Sequence, residues 1–235
     1  MCFGNNRHSM DIKSSDFFNL STFAHTALFE KDPAPWIILT RLASYLKKLK
    51  LGLLLGSISP QAYLIRPEEI TIGEGSIVEP GAYIQGPCWI GKHCVIRHGA
   101  YIRGNVMTGD YCVIGHDTEV KNSLFLNRAH AAHFAYVGDT ILGHEVNLGA
   151  GTKCANFKLD QQTVSVIYKH QHFNTQLRKF GAIIGDRSQI GCNTVTNPGS
   201  LIGMDVRAYP CLNIGGWIPH HSIVKPGSQI RISSY

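Results

Sequence analysis

The segment 126–139, LNRAHAAHFAYVGD, concentrates side chains that can transfer protons or bind a metal. A histidine suits general base catalysis because its ordinary pKa of about 6.5 lies near neutrality. His133, with Tyr136 nearby in the sequence and Asn147 further on, is our candidate for this role. His130 and His133 also form an H-x-x-H pattern, but a three-residue step along an extended strand directs the two imidazoles to different sides. The segment therefore favours a general base over a metal pair.

Two cationic residues upstream, Arg103 and Lys121, are separated by three lengths of a six-residue repeat. Each directly follows an aliphatic residue, Ile102 or Val120. A pair of cations on one surface can bind a phosphate group through charge-assisted hydrogen bonds. A solvated basic surface would give the same pattern, so both interpretations stay open on the residues alone.

The six-residue repeat, which begins at Ile70, must position these side chains. It runs ITIGEG, SIVEPG, AYIQGP, CWIGKH, CVIRHG, AYIRGN, VMTGDY, CVIGHD, TEVKNS, LFLNRA, with a mostly aliphatic third place. The first place is mostly small, which predicts packing roles for Cys88, Cys94 and Cys112. The phase is lost at 133–141 and again from Phe157 to Gly181. Repeats this short must stack on their neighbours to bury a core, which predicts a β-solenoid.

The array resembles the hexapeptide-repeat left-handed β-helix, a three-sided prism in which three hexads form one coil. That resemblance implies a mainly β fold, a left-handed parallel β-helix with an N-terminal helical cap. Because Arg103 and Lys121 are three hexads apart, they should point out from one corner in consecutive coils. His133 follows Ala132, which continues the inward phase, and lies two faces further round than Lys121. A site that uses all three residues therefore suggests a neighbouring subunit, and a homotrimer suits a three-sided prism.

Composition excludes several classes of protein. The 235 residues are 44% hydrophobic and 16% charged, which is typical of a folded protein, and 24 glycines with 10 prolines predict many turns. The net charge of +6 favours anionic ligands, but no basic stripe interleaved with aromatic residues indicates nucleic acid binding. No apolar stretch is long enough for a membrane span. Seven cysteines without a CxxC pair, and an opening MCFGNNRHSM unlike a signal peptide, favour a cytoplasmic location.

The N-terminal region is predicted to be helical over residues 15–52. Asp32 could cap a helix that has Pro33 at its first position, and a shorter helix is expected near Ser14 or Ser15. The expected role is to cap the end of the solenoid and protect a sheet edge. The predicted division is a helical segment at 1–60 and a β-helix domain at 61–235. An insertion at about 157–181 could act as a lid, a bridge between subunits or a structural flap.

A more specific resemblance lies in EVKNSLFLNRAHAAHFAYVGDTILGHEVNLGAGTKCAN, residues 119–156. It resembles the acetyltransferase domain of the bacterial bifunctional uridyltransferase/glucosamine-1-phosphate acetyltransferase. It is also similar to the C-terminal domain of archaeal sugar-1-phosphate nucleotidyltransferases. The resemblance covers roughly 70–215 and implies transfer of acetyl from acetyl-CoA, as co-substrate, to an amino-sugar 1-phosphate. Glucosamine-1-phosphate is the preferred acceptor, in a route to UDP-N-acetylglucosamine and cell-envelope precursors.

The resemblance also implies roles for individual residues. The catalytic base falls on His133. The acetyl-CoA contacts fall on Ala150 and Cys192, and no metal is implied. The sugar-phosphate contacts fall on Arg103, Lys121, Tyr136, Asn147, Asn156 and Lys179. The chain departs from the bacterial pattern at Phe157 and Cys192, where that enzyme has tyrosine and serine, and each change removes or weakens a hydrogen bond.

The mechanism expected from these roles is direct acetyl transfer, with the oxyanion bound by a backbone N–H in the GAGT turn at 149–152. Two other functions stay open. The segment before the array, 1–69, contains no Gly-rich nucleotide-binding opening, so the solenoid could be a non-catalytic oligomerisation partner of a separate sugar nucleotidyltransferase. A zinc enzyme like the γ-class carbonic anhydrases, using His130 and His133 with His116 or His144, is the third hypothesis.

Overall fold

A computed structural model describes residues 12–227, so the opening MCFGNNRHSM lies outside the described residues. The predicted fold class is confirmed: the chain is mainly β and winds into a parallel β-helix of about nine coils with three sheets. The strands of the first sheet are Ser57–Ile58, Ile77–Val78, Val95–Ile96, Val113–His116, His130–His133, Asn147–Leu148, Gln189–Ile190, Arg207–Ala208 and Ile223–Val224.

The other two sheets contain eight strands each. Those of the second sheet are Tyr63–Ile65, Tyr83–Gln85, Tyr101–Ile102, Glu119–Lys121, Tyr136–Gly138, Lys153–Cys154, Val195–Thr196 and Asn213–Ile214. Those of the third sheet are Ile70–Ile72, Cys88–Ile90, Val106–Thr108, Ser123–Phe125, Ile141–Leu142, Ala182–Ile184, Ser200–Ile202 and Trp217–Ile218. The strand Ser57–Ile58 already pairs with the solenoid, while the division of the chain at residue 60 stays a prediction.

The interior of the prism is filled by the aliphatic third place of the hexads and the small first place. Ile84, Ile102 and Val120 are fully buried. Cys88, Cys94 and Cys112 are buried beside them, which confirms their predicted packing role.

Coil length is not constant, and this corrects the predicted orientation near His133. Ile96 pairs with Ile114, a full three hexads further along the chain, but Ile114 pairs with Ala131, which falls one position short of three hexads. The inward position is therefore Ala131, which is fully buried, and the expectation that Ala132 points inward is wrong. The shortening lies before Phe125, which pairs with Thr108, and the next coil is one residue short as well, since Ala131 pairs with Leu148. Relative to an uninterrupted hexad count, the inward position therefore moves back by one residue at Ala131 and by two at Leu148.

The N-terminal region covers a face of the prism rather than its end, contrary to the expected capping role. The outward side chains of the third sheet, including Met107, Leu124 and Ile141, are apolar and fully buried. They form a second core with the N-terminal aromatic residues and the helix. Since an apolar outer face exposed to water is unfavourable, the chain buries it with its own N-terminus.

The helix is shorter than the predicted span of 15–52. It runs from Pro35 to Lys48, and Ala34 occupies the capping position. Asp32 does not cap it, because its carboxylate accepts hydrogen bonds from the backbone N–H and hydroxyl of Ser15. Short 3₁₀ turns are found at Ser14–Asp16, Leu20–Thr22, Thr26–Phe29 and Pro67–Glu69. Within residues 12–227, no helix combines the length and apolar character needed to cross a membrane.

The insertion contains an antiparallel hairpin of Ser165–Tyr168 and Gln171–Asn174. Its Tyr168 ring lies 4.7 Å from that of Trp217 on the third sheet, and its Phe173 ring lies 6.0 Å from that of Trp36 in the helix. The hairpin is therefore part of the second core. Of the roles considered for the insertion, these contacts favour the structural flap.

Candidate functional site

The prism has three rows of turns, which we number by the sheets they join. The first corner leads from the first sheet to the second and includes Phe134. The second corner leads from the second sheet to the third and includes Asn122 and Asp139. The third leads back to the first sheet and includes Arg128. All four of these residues have positive φ values between 43° and 62°. Asn and Asp tolerate this left-handed conformation better than most residues.

Arg103 and Lys121 lie at the second corner in consecutive coils. The backbone N–H of Arg103 donates to the carbonyl of Val120 at 2.9 Å, and Ile102 pairs with Val120 in the sheet. The placement that the three-hexad spacing predicted for these two cations is therefore confirmed.

Each of the two cations has a carboxylate partner. The Arg103 guanidinium contacts Glu119 at 2.7 Å, and both side chains are partly exposed. The Lys121 ammonium contacts Asp139 at 3.0 Å, and here the side chains are only 19% and 6% exposed. The second pair is therefore the more shielded from solvent, and its attraction is less screened.

The Asp139 carboxylate also organises the neutral residues of this corner. Its Oδ1 accepts from the Asn122 amide at 2.8 Å, and its Oδ2 accepts from the Asn156 amide as well as from Lys121. Tyr136 lies against the same group, since a Cβ added at Gly138 would meet both the Tyr136 hydroxyl and the Asn156 amide nitrogen. Burial raises the pKa of the Tyr136 phenol, and the Glu119 charge raises it further, while a hydrogen bond with Asn156 opposes them.

Lys179 reaches the second corner through the end of the insertion. Its backbone forms an antiparallel bridge with Phe157, and the N–H of Phe180 donates to the carbonyl of Asn156 at 2.9 Å. The Lys179 side chain is exposed. Five of the predicted substrate residues therefore belong to the second corner: Arg103, Lys121, Tyr136, Asn156 and Lys179.

His133 lies next to the first corner, at the other edge of the second sheet. It ends the strand His130–His133, its side chain is exposed, and its carbonyl accepts from the N–H of Gly151 at 3.0 Å. Its backbone pairs with His116 of the preceding coil. A single chain thus places the candidate base, His133, and the second corner, which we also call the basic corner because it carries Arg103, Lys121 and Lys179, at opposite edges of the second sheet.

Asn147, Ala150 and Cys192 lie on the His133 side of the molecule. Asn147 is paired with His130 in the first sheet, away from the second corner, and the carbonyl of Ala150 accepts from the N–H of Asn193 at 2.8 Å. A groove of about 520 Å³ runs past Asn147 and Cys192. Its further lining includes Gly149, Ile190, Ala208, Tyr209 and Pro210. Its mostly apolar walls could accept an extended organic chain.

The GAGT turn offers fewer free donors than its sequence suggested. The N–H groups of Gly149, Gly151 and Thr152 donate to the carbonyls of Ile190, His133 and Gly149. Within the described part of the chain, Ala150 is the one member of the turn whose N–H has no backbone acceptor. An oxyanion bound in this turn would therefore depend on Ala150.

The described residues contain no group of three or more His, Cys, Asp or Glu side chains placed to hold a metal ion. His130 is half-buried on the first sheet, and His133 is exposed at the corner. This arrangement gives no support to the zinc-enzyme hypothesis.

Sequence reasoning missed two residues of the second corner, Glu119 and Asp139. Asp139 follows Lys121 by 18 positions, the same step that relates Lys121 to Arg103. Extending that spacing by one further coil would have found the buried carboxylate.

Comparisons with known proteins show which sequences and structures the chain is similar to. Residues 84–178 match the GMPPB C-terminal domain family. A bifunctional sugar-1-phosphate nucleotidylyltransferase/acetyltransferase of Sulfurisphaera tokodaii is 39% identical over 92 residues, which are 39% of this chain and 23% of that protein. The resemblance to hexapeptide-repeat acetyltransferase domains is confirmed.

Two further proteins are similar to this hexapeptide-repeat domain. An uncharacterised acetyltransferase, YaiX, of Escherichia coli strain 536 is 33% identical over 142 residues, 60% of this chain and 62% of that protein. The structure of Francisella novicida UDP-N-acetylglucosamine acyltransferase aligns with 75% of this chain and 61% of its own, with 14% identity and a TM-score of 0.49. The chain spans about a quarter or less of the length of the bifunctional relatives that it matches first.

Proposed function

We propose that the protein is an acetyl-CoA-dependent N-acetyltransferase that acts on an amino-sugar 1-phosphate, with glucosamine-1-phosphate as the preferred acceptor. The observation that carries this proposal is the second corner. Three cations, Arg103, Lys121 and Lys179, come from separate parts of the chain and lie at one corner. The solenoid that carries them is similar to part of a bifunctional sugar-1-phosphate nucleotidylyltransferase/acetyltransferase.

In the proposed complex, the three cations bind the phosphate. Arginine and lysine both bind phosphate oxygens, arginine through two parallel N–H groups and lysine as a point charge. Tyr136 and Asn156 orient the sugar ring, because their polar ends meet beside Gly138. Asn147, on the first sheet, would reach the sugar from the His133 side of the molecule.

The acyl donor would lie in the groove beside Ala150 and Cys192. The amine nitrogen attacks the thioester carbonyl, His133 accepts the proton that the amine loses, and the C–S bond breaks as CoA leaves and takes a proton. The oxyanion of the intermediate is stabilised by the N–H of Ala150. Direct attack needs no acyl-enzyme, so the buried cysteines take no part.

The site requires a second copy of the chain, because His133 and the basic corner lie at opposite edges of the second sheet. In a homotrimer, the first corner of one subunit meets the second corner of the next, and the second sheets face inward. Exposed Tyr63 and Tyr101 on that sheet suit an interface. The third sheet is unavailable, since the chain covers it itself. We also propose a cytoplasmic location, because all cysteines among the described residues 12–227 are free thiols, as a reducing compartment would keep them.

The direct test is a thiol-release assay with purified protein, acetyl-CoA and a panel of amino-sugar 1-phosphates. We expect CoA release that depends on the acceptor and on its phosphate. Release with the unphosphorylated sugar at the same rate would contradict the role of the basic corner. A chain that is inactive alone but raises the activity of a separate nucleotidyltransferase would favour the non-catalytic partner instead.

A further inference from the structure

We propose that Asp139 is a positioning residue for the substrate phosphate, acting through Lys121 and Asn156. This inference rests on the proposed function and adds a residue to it. Asp139 comes from the turn after Tyr136–Gly138, while its partners come from the coils on either side. Its carboxylate therefore links three consecutive coils at one point.

The burial of this carboxylate indicates that its contacts are well defined. A carboxylate that is 6% exposed loses most of its hydration and must regain it from protein donors. Lys121, Asn122 and Asn156 supply these donors. The Asn156 amide in turn lies beside the Tyr136 hydroxyl, because a Cβ added at Gly138 would meet both. Asp139 thus holds one cation directly and acts on two sugar-facing side chains, Asn156 directly and Tyr136 through Asn156.

A lysine needs such a partner more than an arginine does. Its ammonium is carried by a flexible four-carbon stem, and fixing that stem in a binding geometry costs side-chain entropy. If Asp139 fixes the stem before the substrate binds, this cost is met during folding. The Arg103–Glu119 pair is more exposed, and among the described residues 12–227 this ion pair includes no third residue. Glu119 therefore does not hold several donors in place as Asp139 does.

Positioning can be separated from simple charge balance, because the two roles predict opposite effects of Asp139→Asn. If Asp139 only neutralised Lys121, removal of its charge would raise the local positive potential and tighten phosphate binding. If Asp139 positions Lys121 and Asn156, the same substitution weakens binding, because an asparagine keeps one acceptor oxygen and replaces the other by an NH2 donor, so it cannot accept from Lys121, Asn122 and Asn156 as the carboxylate does. The sign of the change in Kd therefore decides between them.

The experiment is calorimetric titration of the intact protein with inorganic phosphate and with glucosamine-1-phosphate, together with steady-state kinetics. For Asp139→Asn we expect Kd and KM for the sugar phosphate to rise at least about 10-fold, equivalent to about 1.4 kcal/mol. We expect kcat to change much less, because Asp139 contacts Lys121, Asn122 and Asn156 and neither of the residues proposed for the chemical step, His133 and Ala150. The matched control is Asp205→Asn, which breaks the Arg187–Asp205 pair, also 18 residues apart but at the third corner.

Two further variants extend the test, and the first of them keeps it decisive if Asp139→Asn folds poorly. Asn122→Ala removes one donor to the carboxylate and leaves the Lys121 contact, so we expect a smaller rise in KM in the same direction. Lys121→Ala combined with Asp139→Asn should be little worse than Lys121→Ala alone, because Asp139 acts partly through Lys121. Unchanged or tighter sugar-phosphate binding in Asp139→Asn, with wild-type protein active, overturns the role of Asp139 alone. An inactive wild-type protein that binds no sugar phosphate overturns the proposed function as well.

Discussion

At the scale of residues, the basic corner contains balanced charges rather than a set of free cations. Arg103 and Lys121 each contact a carboxylate, and Lys179 alone among the three cations has no ion-pair partner within 12–227. A phosphate therefore enters a site with a modest net positive charge and well-oriented donors. Specificity then depends on geometry more than on the total charge.

The role of His133 gives a prediction at this scale. His133→Ala should lower kcat roughly 10²–10⁴-fold, with little change in KM for the sugar phosphate, because general base catalysis contributes about that factor. The thiol-release assay measures both constants. His130→Ala is the control, since His130 belongs to the same strand and is half-buried on the first sheet. Acetyl transfer that survives His133→Ala intact would remove this residue from the mechanism.

At the scale of elements, the third sheet determines what the N-terminal region does. Trp36 of the helix is 4% exposed and packs against the rings of Phe173 and Phe180 from the insertion. The helix, the hairpin and the sheet therefore share one core, and each depends on the other two.

Trp36→Ala should reduce the free energy of unfolding by about 3–5 kcal/mol, because it leaves a cavity at the junction of these elements. Leu159→Ala should change it by less than about 0.5 kcal/mol, since Leu159 is fully exposed. Urea unfolding followed by far-ultraviolet circular dichroism measures both. Equal effects of the two substitutions would contradict a shared second core.

The packing of the N-terminal region on the third sheet should become less stable in mild acid. Burial lowers the pKa of His25, whose ring contacts the Tyr45 hydroxyl at 3.2 Å and lies near Trp89. Burial also lowers the pKa of His144. Nearby carboxylates raise both pKa values but do not cancel the effect of burial. The unfolded chain therefore binds protons at these histidines first, and stability falls as the pH drops below about 6.5. Burial raises the pKa of Asp186, so protonation of this carboxyl favours the folded state as the pH falls. That effect belongs to more acidic conditions, because the ordinary pKa of an aspartate is 3.8.

We therefore expect the Tm to fall between about pH 7.5 and pH 5.5, and to fall less in His25→Gln. Thermal melts in matched buffers measure this difference. The control is His172→Gln, because His172 is exposed on the hairpin. A pH dependence that His25→Gln leaves unchanged would show that this histidine does not control it.

At the scale of the whole molecule, the proposed site must be shared between subunits. His133→Ala and Lys121→Ala proteins should each be nearly inactive. If they are unfolded together, mixed equally and refolded, about a quarter of the sites in a closed trimer should combine a normal His133 with a normal Lys121. Thiol release by the mixture measures this recovery, with light scattering to report the mass of the assembly. No recovery in a correctly assembled trimer would contradict a shared site.

The regular alternation of the hexads made much of the fold predictable from the sequence. Inward aliphatic residues such as Ile102 and Val120 fixed the phase, and phase with spacing placed Arg103 and Lys121 at one corner. The resemblance added the candidate roles of His133 and the remaining substrate residues. The coil that ends at Ala131 was mispredicted because the missing residue precedes three adjacent apolar residues, Leu124, Phe125 and Leu126, and their sequence does not show that Phe125 is the one that faces into the prism.

What the sequence by itself determined is which side chains face into the prism wherever the hexads are unbroken, because each strand alternates locally and neighbouring coils repeat that alternation. Only the tertiary structure decided which segments cover the outer faces of the prism and which outward side chains contact one another. It showed that the N-terminus and the insertion cover the third sheet, and that Asp139 joins Lys121 to Asn156. Both arrangements depend on contacts between residues from different coils or distant segments, whose partners are set by packing rather than by local pattern.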